Sequence, residues 1–187
     1  VIVDGFLPIY KEFREYCDTL EYGDVTSPID SVVYPGISLA IPEHIKDEII
    51  ESLLDVEDCD ITVRAMFLRL TLLGMIYPHQ AHTDSSMGDC SLMLYLNRQE
   101  HCQGGTSLVT HVETGMYANP RTKGEEDIWR RDTNNPDKWQ VTYLAEMQPN
   151  RAFMFDARLM HRAEPIGGFG SSAKDGRLVL TCFYDRT

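Results

Sequence analysis

"HTDSSMGDCSLMLYLN", residues 82–97, joins a polar, turn-forming half to an apolar half. A short apolar run bounded by Gly and Asp on one side and Asn on the other reads as a buried strand. Similar runs recur downstream: "GGTSLVTHV" (104–112), "RAFMFDARLMH" (151–161) and "RLVLTCFYD" (177–185). Upstream, "ITVRAMFLRLTLLGMIY" (61–77) is long and apolar, interrupted by Arg64, Arg69 and Gly74, and reads as one or two strands. The first third differs. "PIYKEFREYCDTLEY" spaces Ile9, Phe13, Tyr16 and Leu20 as a helix would, and "IPEHIKDEIIESLLDV" does so with Ile45, Ile49, Leu53 and Val56. Pro8 and Pro42 suit first turns. "TSPIDSVVYPGISLA" between them reads as loop with a short strand. Helices first and strands afterwards predict an α+β fold, with helices packed on an antiparallel barrel or sandwich. The expected organisation is one domain over 1–187: helical support to residue 60, a β core from about 61, and a polar loop over 114–138. That loop, "TGMYANPRTKGEEDIWRRDTNNPDK", is long for a compact domain and suits either a surface insertion or a substrate cover.

Composition narrows the function classes. A chain of 187 residues suits one domain with a real core. The formal charge of −12 disfavours a phosphate backbone as partner, so no nucleic acid is expected. The same charge argues against an anionic membrane surface, and no apolar run is long enough for a spanning helix. The opening "VIVDGFLPIYKEF" lacks the basic start and cleavage site of a signal peptide; it begins at Val1 and says nothing of what preceded it. Five cysteines (Cys17, Cys59, Cys90, Cys102, Cys182) show no CxxC pairing. They read as free thiols in a reducing, cytoplasmic setting.

The chemistry candidates begin with His82 and Asp84. Two residues apart on extended chain, their side chains share a face and can converge on one ion. On a helix the same spacing diverges by about 200°. Alone, His-x-Asp is weak, since a polar strand end looks the same. His161, closing another strand-like run, offers a third ligand. Two His and one carboxylate with open positions is the pattern of non-haem Fe(II) oxygenases, although zinc hydrolases also use it. Arg177 opens the last strand, where it either faces water or grips a carboxylate in a bidentate fork. Thr181 shares its face. His79, three residues before His82, should face the opposite side on a strand, and reads as a support behind the ligands, a substrate-facing residue or simply an exposed one. His44, His101 and His111 lack a carboxylate at ligand spacing, and Cys102 lacks an oriented base.

In this order, His82-x-Asp84, His161 and Arg177 resemble the Fe(II)- and 2-oxoglutarate-dependent dioxygenases. The "MGD" turn, the strand ending in "YLN" and the following "GG" resemble the prolyl-hydroxylase-like branch. The likeness covers roughly residues 64–185. It implies a double-stranded β-helix, or jelly roll, carrying iron on His82, Asp84 and His161. It implies 2-oxoglutarate held through its distal carboxylate by Arg177 and Tyr95, with Thr181 as a helper and Lys174 as a lesser rival to Arg177. It implies a hydroxylase that uses O2 and converts 2-oxoglutarate to succinate and CO2; the expected substrate, a small molecule or peptide, is a protein side chain, an amino acid or a small metabolite. The ion with Asp84 carries +1 and 2-oxoglutarate −2, so Arg177 would bring the site to neutrality. Two other readings stand beside it: a cupin-like enzyme with another metal, needing neither Arg177 nor Tyr95, and a non-catalytic jelly-roll binding module. The residues do not specify the substrate or the oligomeric state.

Overall fold

The computed structural model describes residues 1–187. Ten strands form two antiparallel sheets. In spatial order the larger carries β1 (Ile2–Asp4), β8 (Arg151–Asp156), β5 (Cys90–Tyr95), β10 (Arg177–Arg186), β4 (Ile61–Thr71), β3 (Val33–Ser38) and β2 (Gly23–Thr26). The smaller carries β7 (Trp139–Glu146), β6 (Gly105–His111) and β9 (His161–Glu164). Helices α1 (Tyr10–Cys17) and α2 (Glu43–Leu54) back the larger sheet, and α3 (Lys123–Asp132) follows β6. No helix is long and apolar enough to cross a membrane. All five cysteines are unpaired.

Strand periodicity on β10 separates two of the three apolar clusters of the core, the third being Ala81, Val109, Met116, Trp139 and Met160. On β10, Leu178, Leu180, Cys182 and Tyr184 face the helices and meet Phe13, Cys17, Ile45, Ile49 and Leu53. Each fully buried aliphatic or aromatic side chain there contributes about 1.5–3 kcal/mol. Val179 points the other way, into a second core between the sheets with Met93, Tyr95, Phe153 and Phe155. β10 is thus buried on both faces, and Leu180 and Phe183 do not share one. The inner face of the larger sheet carries Arg69, Ser91, Tyr95, Arg177 and Thr181, His161 and Arg162 lie across from it on β9, and the outer face of the larger sheet holds the helices.

Three expectations need correction. Besides the two helices and the short strand expected between them, which is β3, the first 60 residues supply β1 and β2. β1 is too short to carry a pattern; it is held by its ladder to β8, in which Ile2 lies opposite Phe153. Of residues 61–77, only 61–71 form strand; the chain then loops away, with Leu73 N–H bonded to Gly170 O and Gly74 N–H to Gly167 O. The polar stretch 114–138 contains α3. Its start carries a capping box: Thr122 accepts from the Glu125 backbone, and Glu125 reaches back to the Thr122 N–H. Ion pairs of Lys123 with Asp127 and Arg130 with Glu126 add i,i+4 support.

Gly105 opens β6 with φ +148°, and a Cβ there would stand 1.9 Å from the Ala145 carbonyl oxygen on β7. Neither ladder strand can retreat, because β6 is paired on both sides. Gly105→Ala combines a strained backbone with an overpacked contact and should cost about 3 kcal/mol or more. In a thermal melt this reads as a Tm lower by roughly 6 °C or more; an unchanged Tm would refute the close-packed ladder.

Candidate metal centre and cleft

The ligand candidates meet where the two sheets open. His82 and His161 form an isolated antiparallel bridge, each N–H bonding the other's carbonyl at 3.0 and 2.9 Å. Asp84 N–H bonds Ala157 O at 2.8 Å, and Met87 N–H turns back to Asp84 O at 2.8 Å. One ligand atom from each of His82, Asp84 and His161 lies within 4.8 Å of the other two. The convergence therefore arises without a strand at His82-x-Asp84; a single bridge and a turn bring it about. The end of α3 buttresses this segment. Trp129 Nε1 and Thr133 Oγ1 both donate to Ala81 O, and Asn134 donates to Pro78 O and accepts from Gln80 N–H.

The imidazoles are oriented for a cation. His82 Nδ1 donates to Gln80 O and His161 Nδ1 to Leu159 O, both at 2.9 Å. Each Nε2 is left as a lone pair directed at the centre, the arrangement usual for metal-ligating histidines. His161 Nε2 is buried with no hydrogen-bond partner, although it lies 3.1 Å from Asp84 Oδ2. Ser91 Oγ, on the inner face of β5, donates to Asp84 Oδ2 at 3.2 Å. Burial, aided by the neighbouring His161, pushes His82 down to about 4. Burial opposes ionisation of Asp84, but His161 and His82 outweigh it and hold the carboxyl down at about 2. A neutral His82 imidazole and an ionised Asp84 carboxylate are the forms a divalent ion needs. An orphaned buried nitrogen in such a donor set fits a bound metal.

Beside the triad lies a small pocket with Arg69, Arg162 and Arg177 in its wall and no carboxylate among its lining residues. In a chain of net charge −12 this is a local inversion of sign. Arg177 is 4% exposed on the inner face of β10. Its Nη2 donates to Gly105 O at 3.1 Å and Thr106 Oγ1 at 3.3 Å, and its Nε has no partner. Arg162 donates through Nε to Glu164 at 2.7 Å, leaving Nη1 buried and unpaired. Unpartnered buried donors carry a desolvation cost that a bound anion would relieve.

Three expected residues fall elsewhere. Tyr95 is fully buried with its hydroxyl donated to Ala145 O at 2.9 Å, and it does not line the small pocket. Thr181 donates to Met93 Sδ and lies deeper between the sheets. Lys174 is exposed in the loop before β10. His79 departs in the opposite sense. Because its segment is not a strand, it does not turn away from His82. It lines both the pocket and the cleft and packs on Trp129, ring centroids 5.2 Å apart. His111 is buried against Asp132 and Trp139, far from ligand geometry. Arg69 and Arg162 went unassigned in the sequence. Arg69 carried a signal, a charge inside an apolar strand; Arg162 had none beyond adjacency to His161.

A larger cleft of about 1040 Å³ opens from the triad. Its walls are the β2–β3 hairpin, the inner face of β4 with Phe67 and Arg69, the segment 82–87, and one side of α3 with Lys123, Glu126, Trp129 and Arg130. The stretch 114–138 thus forms one wall of the cleft.

No protein-family model matches the sequence, and no curated protein matches it. Solved structures do match in fold. HygX from Streptomyces hygroscopicus superposes with a TM-score of 0.58 over 100% of this chain and 81% of its own, at 12% identity. The non-heme alpha ketoglutarate dependent epimerase SnoN from nogalamycin biosynthesis gives 0.55 over 98% and 77%, at 13% identity. A 2OG-Fe(II) oxygenase family oxidoreductase from Burkholderia pseudomallei gives 0.50 over 95% and 79%, at 12%. HygX has been solved with nickel and 2-oxoglutarate bound, and SnoN with Fe3+, alpha ketoglutarate and nogalamycin RO. At such identities the likeness establishes a shared fold: the two-sheet sandwich of these proteins is the sandwich of this chain.

Proposed function

We propose that this protein is an Fe(II)- and 2-oxoglutarate-dependent oxygenase of small molecules, its sandwich being the double-stranded β-helix of that superfamily. The observation that carries the reading is the juxtaposition of a His-Asp-His cluster with an adjoining pocket walled by arginines and free of carboxylates. Two His and one carboxylate leave half of an octahedral sphere open, as such iron sites require. When bound, Fe(II) with 2-oxoglutarate and O2 supplies an oxidant able to take hydrogen from carbon, and 2-oxoglutarate leaves as succinate and CO2. His82 and His161 would hold the metal through Nε2. Asp84 would lower its charge, kept in place by Ser91. Arg177 and Arg162 would fix the distal carboxylate of 2-oxoglutarate. A cupin-like enzyme of another type would not need Arg177, and a binding module would not need the open metal triad beside it. Hydroxylation is the expected outcome. The "MGD", "YLN" and "GG" features support the prolyl-hydroxylase-like branch only as far as they support the fold, since Asn97 and Gly105 serve backbone contacts. Unpaired cysteines suit a reducing intracellular compartment.

Anaerobic titration of the protein with Fe(II) and then 2-oxoglutarate tests the reading. A visible charge-transfer band that appears only when both are present is expected, followed by succinate release on admitting O2. Absence of the band would overturn it.

A further inference from the structure

We infer that the cleft takes a substrate with a flat apolar body and a single carboxylate, and that Arg69 grips that carboxylate. This rests on the oxygenase reading of the neighbouring triad and pocket.

Arg69 sits on the inner face of β4, in step with Phe67 and Thr71, and is one of three residues shared by the small pocket and the cleft. The other two are His79 and His82, so Arg69 stands at the boundary beside the metal ligands. Its guanidinium makes no ion pair and no hydrogen bond within the protein, and its Nε is buried and unpartnered. What holds it is aromatic: it lies over the Tyr77 ring at 4.0 Å, with the Tyr34 ring at 5.8 Å. A guanidinium stacked on a ring keeps its in-plane N–H edge free for a planar acceptor, which suits a carboxylate. Tyr77 is itself fixed by a 2.6 Å hydrogen bond to Thr71.

Charge points the same way. Three guanidiniums wall the pocket, and Glu164 offsets one of them through Arg162. Arg177 offsets the charge that 2-oxoglutarate leaves over after meeting the ion and Asp84. Of the three pocket guanidiniums, Arg69 is then the one without an acid. Beyond the triad, the other cleft charges lie on the β2–β3 loop, where Asp30 accepts from Tyr34, and on the α3 segment, where Glu126 meets Lys123 and Arg130 and Arg121 also lines the cleft. An assembled, partly buried site is less costly when neutral, and a monoanionic substrate makes it so. The cleft also has an apolar strip: Phe67 and Phe183 lie 5.9 Å apart, with Ile37 and Trp129 also in a lining that is otherwise largely polar. A flat hydrophobic body against these rings would bring its acid group to Arg69 and an adjacent carbon toward the triad.

The test is calorimetric titration with 2-naphthylacetate and biphenyl-4-carboxylate, each beside its primary amide. The protein is titrated both metal-free and anaerobically loaded with Fe(II) and 2-oxoglutarate. Each acid is expected to bind the loaded wild type about tenfold or more tightly than its amide. Arg69→Met should erase that preference while changing 2-oxoglutarate affinity by less than about threefold, and Arg69→Lys should restore only part of it. Equal binding of acids and amides, or no binding of either acid, would overturn the inference. So would an Arg69→Met variant that loses 2-oxoglutarate as strongly as the acids, since the residue would then serve the co-substrate. Failure of the wild type to bind 2-oxoglutarate would strike the oxygenase reading instead, and the metal-free titration tells the two failures apart.

Discussion

Asp84→Ala should bind Fe(II) at least about 100-fold more weakly than the wild type, in an anaerobic calorimetric titration with the metal alone. Loss of a partner one layer further out already costs 10–100-fold in typical metal sites, and Asp84 supplies the only anionic donor of the cluster. Without it two neutral imidazoles would face a divalent ion with Arg69 close by, close enough to help depress the His82 pKa. Asp84→Asn separates charge from shape. It keeps an oxygen for Ser91 and fills the same volume, so its affinity should fall between those of the wild type and Asp84→Ala. The fold should survive both changes. The His82–His161 bridge and the Asp84 N–H bond to Ala157 are backbone contacts that need no carboxylate. Near-wild-type Fe(II) binding by Asp84→Ala, in a protein that melts normally, would remove the metal assignment.

Arg177→Met should weaken 2-oxoglutarate by about 30-fold or more and leave Fe(II) affinity within about twofold. Truncating one member of a buried, hydrogen-bonded charge pair costs about 2–5 kcal/mol, much of it from the charge left behind. The residue makes no contact with the triad. Its bonds run to Gly105 O and Thr106 Oγ1. The same substitution should not lower the Tm of the ligand-free protein. Arg177 is a buried cation with one unpartnered nitrogen and no acid against it, and an apolar side chain of similar volume removes that desolvation cost. A purely structural Arg177 would give the reverse pattern, a fall in Tm with 2-oxoglutarate affinity intact. The readouts are the charge-transfer titration and a thermal melt of the same two proteins.

Much of this site was legible in the sequence because its signals are local. His82 and Asp84 sit two apart, and short apolar runs mark β5, β6, β8 and β10 whatever their partners. Helices α1 and α2 showed through the spacing of Phe13, Ile45, Ile49 and Leu53, because a helix that packs on one side repeats that side every three or four residues. The capping box at Thr122 and Glu125 was also local and could have revealed α3; its polarity made the stretch look like loop.

Other features have no local signature. Parity along a strand gives which residues share a face, but not which face meets the helices and which the other sheet. Tyr95 and Arg177 both point inward. Only the β6–β7 ladder decides that the Tyr95 hydroxyl finds Ala145 O and not the anion pocket. His79 was expected to turn away because its segment was taken as strand, yet bonds from Trp129, Thr133 and Asn134, about 50 residues on, hold that segment as irregular chain.

By itself, then, the sequence determined the types of donor, the order in which they come, and the α+β character of the chain, all of which follow from spacing and side-chain chemistry. The tertiary structure alone decided that Arg69, Arg162 and Arg177, from three strands in two sheets, share one pocket beside the triad. It also decided that only Arg162 has a carboxylate against it, that of Glu164, while Arg69 and Arg177 have none. Such convergence depends on how sheets pair and close, which is set by contacts between residues up to about 150 positions apart and leaves no periodic trace along the chain.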